Sequence, residues 1–156
     1  MLYQKNGTAD LVTRIVVHCS ASPPRVAARQ TIADIDRMHR SAPLNWSMVG
    51  YHMFIRRDGT VEFGRPFGRI PAHVRGMNRG SIGVCLAGGV DHELRPLPGG
   101  GYSPQQWTSL ERVLKGLCLL YPEAVCLGHH DHEGVAKACP CFSVHDRFRH
   151  VRGIRV

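Results

Sequence analysis

Residues 15–22 read IVVHCSAS. The run from Ile15 to Cys19 is short, apolar and β-rich, and it begins after a basic residue and ends at the breaker sequence SASPP. It is therefore expected to be a buried strand that runs into a loop, with His18 at its mouth. A second run of the same kind, Val125 to His129, ends on another histidine. Ser81 to Ala87 is a third apolar strand, followed by Gly88-Gly89 and the glycine and proline tract ELRPLPGGGY.

Between these strands the periods change. Arg29 to Arg40 carries Ile32, Ile35 and Met38 or His39 at helical spacing, and Pro43 stops it. YHMFIRRDGTVEFG, residues 51–64, reads as two strands joined at Asp58-Gly59, a dipeptide that tolerates positive φ in a tight turn. Residues 65–79 show no clean period and have the composition of a surface loop or groove wall. The strongest helix begins at Ser103, which can cap it, with Pro104 in the first position and Gln106 completing a capping box. Its apolar face is Trp107, Leu110, Val113, Leu114, Leu117 and Tyr121, and Pro122 ends it. A basic helix from Ser143 to about His150 closes the chain. Strands and helices alternate without a repeat or a detachable linker, which predicts an α/β fold: one domain, residues 1–156, with a central mixed sheet flanked by helices.

With 156 residues, 43% of them hydrophobic, the chain can bury one ordinary core. A formal charge of +8 attracts polyanions without choosing among nucleic acid, lipid heads and bacterial envelope. No stretch approaches the roughly twenty apolar residues of a spanning helix. The opening MLYQKNGTADLV lacks the features of a secretory signal, so the protein is expected to accumulate first in the cytoplasm of the producing cell. Mostly reduced thiols are expected on the same ground. Cys19, Cys85, Cys118 and Cys126 sit in apolar contexts as small buried hydrophobes, whereas Cys139 and Cys141, in KACPCF, follow a histidine cluster.

His18, His129 and Cys139 supply two imidazoles and a thiolate, the ligand count of a catalytic zinc that keeps its fourth position open. Such an ion lowers the pKa of its water and polarises a carbonyl, which suits amide hydrolysis. Tyr51 and Lys137 are candidate donors to the developing oxyanion. If the strand continued past His129, His130 and His132 would alternate faces and only one parity would point at the metal. A closed structural site of Cys139, Cys141 and two histidines is the alternative. A basic nucleic-acid binder would need a groove-reading helix or aromatic platform, which the sequence does not display.

Six segments occur in one order: IVVHCSAS, GYHMFIRRDGTVEFGR, AHVRGMNRGSIGVCLAGG, SPQQW, GHHD and KACPCF. In these the chain, from about Thr13 to about Phe148, resembles the zinc N-acetylmuramoyl-L-alanine amidases, and among them the small single-domain phage lysozymes or endolysins. The family is also similar to the animal peptidoglycan recognition proteins, some of which lack the cysteine ligand and bind without cutting. The resemblance implies one Zn2+ on His18, His129 and Cys139, with Tyr51 and Lys137 assisting at the scissile carbonyl and His73 and Asn78 in the substrate groove. It implies hydrolysis of the bond between N-acetylmuramic acid and L-alanine; a monomer is expected, and the missing signal features predict that it reaches the wall after release from the cytoplasm. Further expectations are electrostatic contact with the anionic envelope through Arg147, Arg149, Arg152 and Arg155, and no stable nucleic-acid partner.

Overall fold

The strands that the apolar runs predict come together as one sheet. In the computed structural model, which describes residues 2–5 and 8–156, the chain opens with a hairpin of β1 (Leu2–Lys5) and β2 (Thr8–Leu11). It continues through β3 (Arg14–Cys19), α1 (Pro24–Ala27), α2 (Ile32–Arg40), β4 (Met53–Ile55), β5 (Val61–Phe63) and β6 (Ser81–Leu86). Then come α3 (Pro104–Leu120), β7 (Val125–Gly128) and α4 (Val144–Phe148). The main sheet has the order β5-β4-β6-β3-β7. β4, β6, β3 and β7 are parallel and β5 alone is antiparallel, the mixed α/β sheet that the sequence predicts.

Central parallel strands are covered on both faces, which is why β3 and β6 read as unbroken apolar runs. One face presents Ile15, Val17, Ile82, Val84 and Leu86 to Leu110, Leu114 and Leu117 of α3 and to Val144 and Phe148 of α4. Phe54 and Cys85 are buried with Ile35 of α2 and Val49 on the other side. The stripe expected on the last helix is thus packed, but two of its arginines are engaged in the fold. The Arg147 guanidinium lies 4.3 Å over the Trp107 ring, and Arg155 donates to the Pro122 carbonyl at 2.6 Å.

Helix ends follow their caps. Thr31 and Asp34 form a capping box on α2, and Ser103 and Gln106 form one on α3. Gln106 is buried, and its amide nitrogen also donates to the Ile55 and Ala87 carbonyls just where β4 and β6 end. The hairpin turn is longer than the two-residue turn suggested by Asp58-Gly59. Arg56 donates to the Thr60 carbonyl and Gly59 sits at φ +87, so three residues are enclosed and the glycine takes the left-handed position.

Candidate metal centre and cleft

Topology alone brings the two strand-end histidines together. β3 and β7 are parallel neighbours with Val17 opposite Gly128, so the residues that follow, His18 and His129, emerge side by side with ring centroids 4.5 Å apart. At His129 the extended backbone stops and residues His129–Asp131 form a single 3-10 turn. That removes the strand alternation considered for His130 and His132: His130 instead faces the returning loop, its Nδ1 3.2 Å from the Ala138 carbonyl, and its backbone N–H donates to the Cys139 carbonyl at 2.8 Å.

This clasp brings Cys139 back to the strand ends. The Cys19 backbone N–H donates to Cys139 Sγ at 3.2 Å, and the buried Tyr102 hydroxyl donates to the Pro140 carbonyl at 2.8 Å. Ligand atoms of His18, His129 and Cys139 all lie within 4.8 Å of one another. The Cys139 Sγ to His18 Nδ1 separation is 3.8 Å, against about 3.6 Å for a sulfur and a nitrogen on one tetrahedral zinc.

The other nitrogen of His18 fixes which tautomer the ring adopts. The Ser81 hydroxyl donates to the Asn78 carbonyl at 2.7 Å, leaving its oxygen to accept His73 Nε2–H at 2.9 Å. His73 Nδ1 is then bare and accepts His18 Nε2–H at 2.7 Å. The lone pair left on His18 is on Nδ1, the atom that faces Cys139. A ligating histidine commonly donates its second N–H in this way, which holds the ring and makes it more basic. The donor set therefore fits zinc: two neutral imidazoles, one of them oriented from behind, and a sulfur that receives a backbone N–H.

Charges agree with that tautomer. Burial, and then the neighbouring His73 and His129, hold His18 well below the ordinary imidazole range. Burial, followed by Lys137, lowers His129. The Cys139 thiol is pushed up by its hydrogen bond with the Cys19 sulfur and then by burial. A bound cation would reverse that direction, because a coordinating thiol is deprotonated outright.

Tyr51 precedes β4, with its ring 5.1 Å from that of His18, and burial, followed by the nearby Cys85, raises its hydroxyl well above the ordinary phenol range. Lys137 is exposed on the wall of an open cleft of about 730 Å3, which Tyr51 does not line. Trp46, Arg75, His129, Glu133, His73 and Asn78 also line the cleft. His73 and Asn78 are thus at the groove, yet both ring nitrogens of His73 are engaged with His18 and Ser81. Asn78 Oδ1 accepts the backbone N–H groups of His73 and Val74 at 2.8 and 2.9 Å. Sequence reading missed Ser81, which looks like any first residue of a strand. It also missed Gly83, where a Cβ would stand 3.1 Å from the His73 ring. A glycine inside an otherwise apolar strand was the available signal.

Comparison with known proteins joins this geometry to an activity. The family model described as N-acetylmuramoyl-L-alanine amidase matches residues 7–142. An endolysin of Enterobacteria phage K11 is 41% identical over 132 residues, 85% of this chain and 82% of that protein. Among solved structures, the endolysin N-acetylmuramoyl-L-alanine amidase LysCS from Clostridium intestinale has a TM-score of 0.69 at 27% identity, covering 88% of this chain and 82% of that one. Drosophila PGRP-LB has a TM-score of 0.72 at 19% identity, with 99% and 86% covered, and shares the fold.

Proposed function

The chain belongs to the N-acetylmuramoyl-L-alanine amidase family, and from that premise we propose that it performs its hydrolysis of peptidoglycan with one zinc ion held by His18, His129 and Cys139. The protein is an endolysin-type enzyme that cuts the amide between N-acetylmuramic acid and L-alanine and so lyses the wall. The observation that carries the metal assignment is the convergence of the three ligand atoms, with the only bare nitrogen of His18 turned toward Cys139.

When bound, zinc supplies a Lewis acid and brings its water toward ionisation near neutral pH. The chain's own residues do the rest. The cleft takes the peptide stem and the sugar, and Trp46 offers an apolar wall to the substrate. The scissile carbonyl lies between the His18–His129 pair and the 133–137 wall. Tyr51 donates its O–H to the carbonyl oxygen as charge develops there, and the Lys137 ammonium faces the same oxygen across the cleft. His73 and Asn78 shape the groove, His73 chiefly by holding His18.

The catalytic unit in this reading is the whole of residues 1–156, acting as a monomer. It acts on the wall after release from the producing cell's cytoplasm; among the described residues no helix is long and apolar enough to cross a membrane. Of the C-terminal arginines, Arg152 is left for contact with the anionic envelope, whereas Arg149 lies 4.0 Å from the Asp146 carboxylate and shares its charge with it.

Incubation with purified peptidoglycan tests the activity: new L-alanine amino termini should appear without new reducing sugar ends. Reducing ends in their place would identify a glycosidase. Chelation should abolish the reaction and stoichiometric zinc restore it; full turnover in metal-free protein would refute the metal assignment.

A further inference from the structure

The six cysteines are free thiols, and four of them have an evident place. Cys19, Cys139 and Cys141 gather at the candidate metal centre, and Cys85 is buried under the sheet beside Tyr51. The remaining two, Cys118 and Cys126, lie away from the cleft with their sulfurs 3.6 Å apart. Cys118 is in the last turn of α3, and Cys126 is the second residue of β7, opposite Ile15 of β3.

We propose that Cys118 and Cys126 form a disulfide when the protein meets a disulfide oxidant, latching the end of α3 to the strand that delivers His129. The sulfurs are already in contact, and closing them to the bonding distance of about 2.05 Å takes a shift of roughly 1.5 Å. Cys118 can supply that shift, because its side chain is partly exposed at a helix end followed by Leu119 and Leu120, which are 82% and 58% exposed. Cys126 is almost completely buried and its N–H donates to the Arg155 carbonyl at 2.7 Å, so it is the fixed partner.

Their surroundings give the two thiols different roles. Cys118 is held down to about 6 by its hydrogen bond with Cys126, with further help from the Arg155 backbone and charge. It is also the accessible one, and an accessible thiolate is what attacks. Its attack on one sulfur of oxidised glutathione forms a mixed disulfide and expels one glutathione thiolate. Cys126, giving up its proton, then attacks Cys118 Sγ and expels the second glutathione. Two protein thiols are oxidised and one glutathione disulfide is reduced to two thiols. Reducing conditions would keep the latch open, whereas a wall-acting enzyme meets the oxidising side of a bacterial membrane.

The test treats the zinc-supplemented wild-type protein, folded and without denaturant, with oxidised glutathione, and reads intact mass and a non-reducing peptide map. The expected product has lost the mass of two hydrogens, carries a Cys118–Cys126 linked peptide, and has two fewer titratable thiols. The Cys126→Ser variant should stop at a glutathione adduct on Cys118, and Cys118→Ser should form neither adduct nor link at this site. Wild-type protein that keeps both thiols, accumulates only the Cys118 adduct, or links Cys139 to Cys19 or Cys141 would overturn the proposal. Every readout follows the thiols and none follows hydrolysis, so failure here is distinct from failure of the amidase reading.

Discussion

Ser81→Ala removes one hydroxyl that faces no substrate, and it should nevertheless weaken zinc binding. Ser81 is fully buried, and its oxygen is the acceptor that keeps the His73 proton on Nε2. Without it His73 has two choices. It can leave Nε2–H buried and unpaired, at a cost of about 1–3 kcal/mol, or move the proton to Nδ1, which then meets His18 Nε2–H donor to donor at 2.7 Å. Relief of that clash sends the His18 proton to Nδ1, the atom needed for the metal. Losing an outer partner of a metal-bound histidine typically costs about 10–100-fold in affinity, equivalent to about 1.4–2.8 kcal/mol. Competition against a chromophoric chelator would measure the zinc Kd, and thermal unfolding of the metal-free protein would measure the stability cost separately. A variant that loses stability yet binds zinc as tightly as wild type would refute the tautomer argument and leave Ser81 a packing residue.

Cys139→Ser should lose zinc and hydrolysis while still binding peptidoglycan, because a serine hydroxyl resists deprotonation; pull-down with insoluble peptidoglycan and metal analysis check both halves. Cys141→Ser should stay active, since a serine can replace the thiol that donates to the Gly89 carbonyl, and loss of zinc in that variant alone would reassign the ligand. Tyr51→Phe and Lys137→Ala should keep zinc and lose turnover, by about 2.7–4 kcal/mol of barrier if each removes a preorganised oxyanion donor; wild-type kcat in both would reduce them to scaffold. His52 is lowered to about 4 by burial, and its Nδ1 accepts the Gly83 N–H at 3.0 Å. The unfolded chain therefore takes up that proton first as pH falls. Stability should be complete above about pH 6.5 and decline by about 3 kcal/mol toward pH 4, with urea unfolding showing a shallower slope in His52→Gln.

The sequence displayed those features whose cause is local. The apolar runs around Val16 and Val84, the Ser103–Gln106 box and the Asp58-Gly59 turn each report their own backbone state, and the sheet and its helices followed. His18 and His129 were legible as strand-end residues because a strand that stops on a polar side chain announces a site. What stayed hidden depends on distant partners. Residues 24–27 belong to α1 although their neighbourhood reads as a breaker, and the β1–β2 hairpin had no apolar alternation strong enough to declare it. His73 was legible only as a groove residue, since its tie to His18 spans 55 positions. Arg147 looked like a free surface charge until Trp107 was placed beneath it.

The buried amide of Gln106 has a bearing on how the molecule opens. A helix ordinarily frays from both ends because its terminal backbone groups have only water to leave for. In α3 the first turn cannot loosen without stripping the Ile55 and Ala87 carbonyls of their donor. Fluctuations are therefore confined to the opposite end, where Leu119 and Leu120 stand in solvent. Amide hydrogen exchange along α3 should be polarised, slow near Gln106 and progressively faster toward Leu120, and the segment leading into β7 is where breathing of the helix would first be felt by His129.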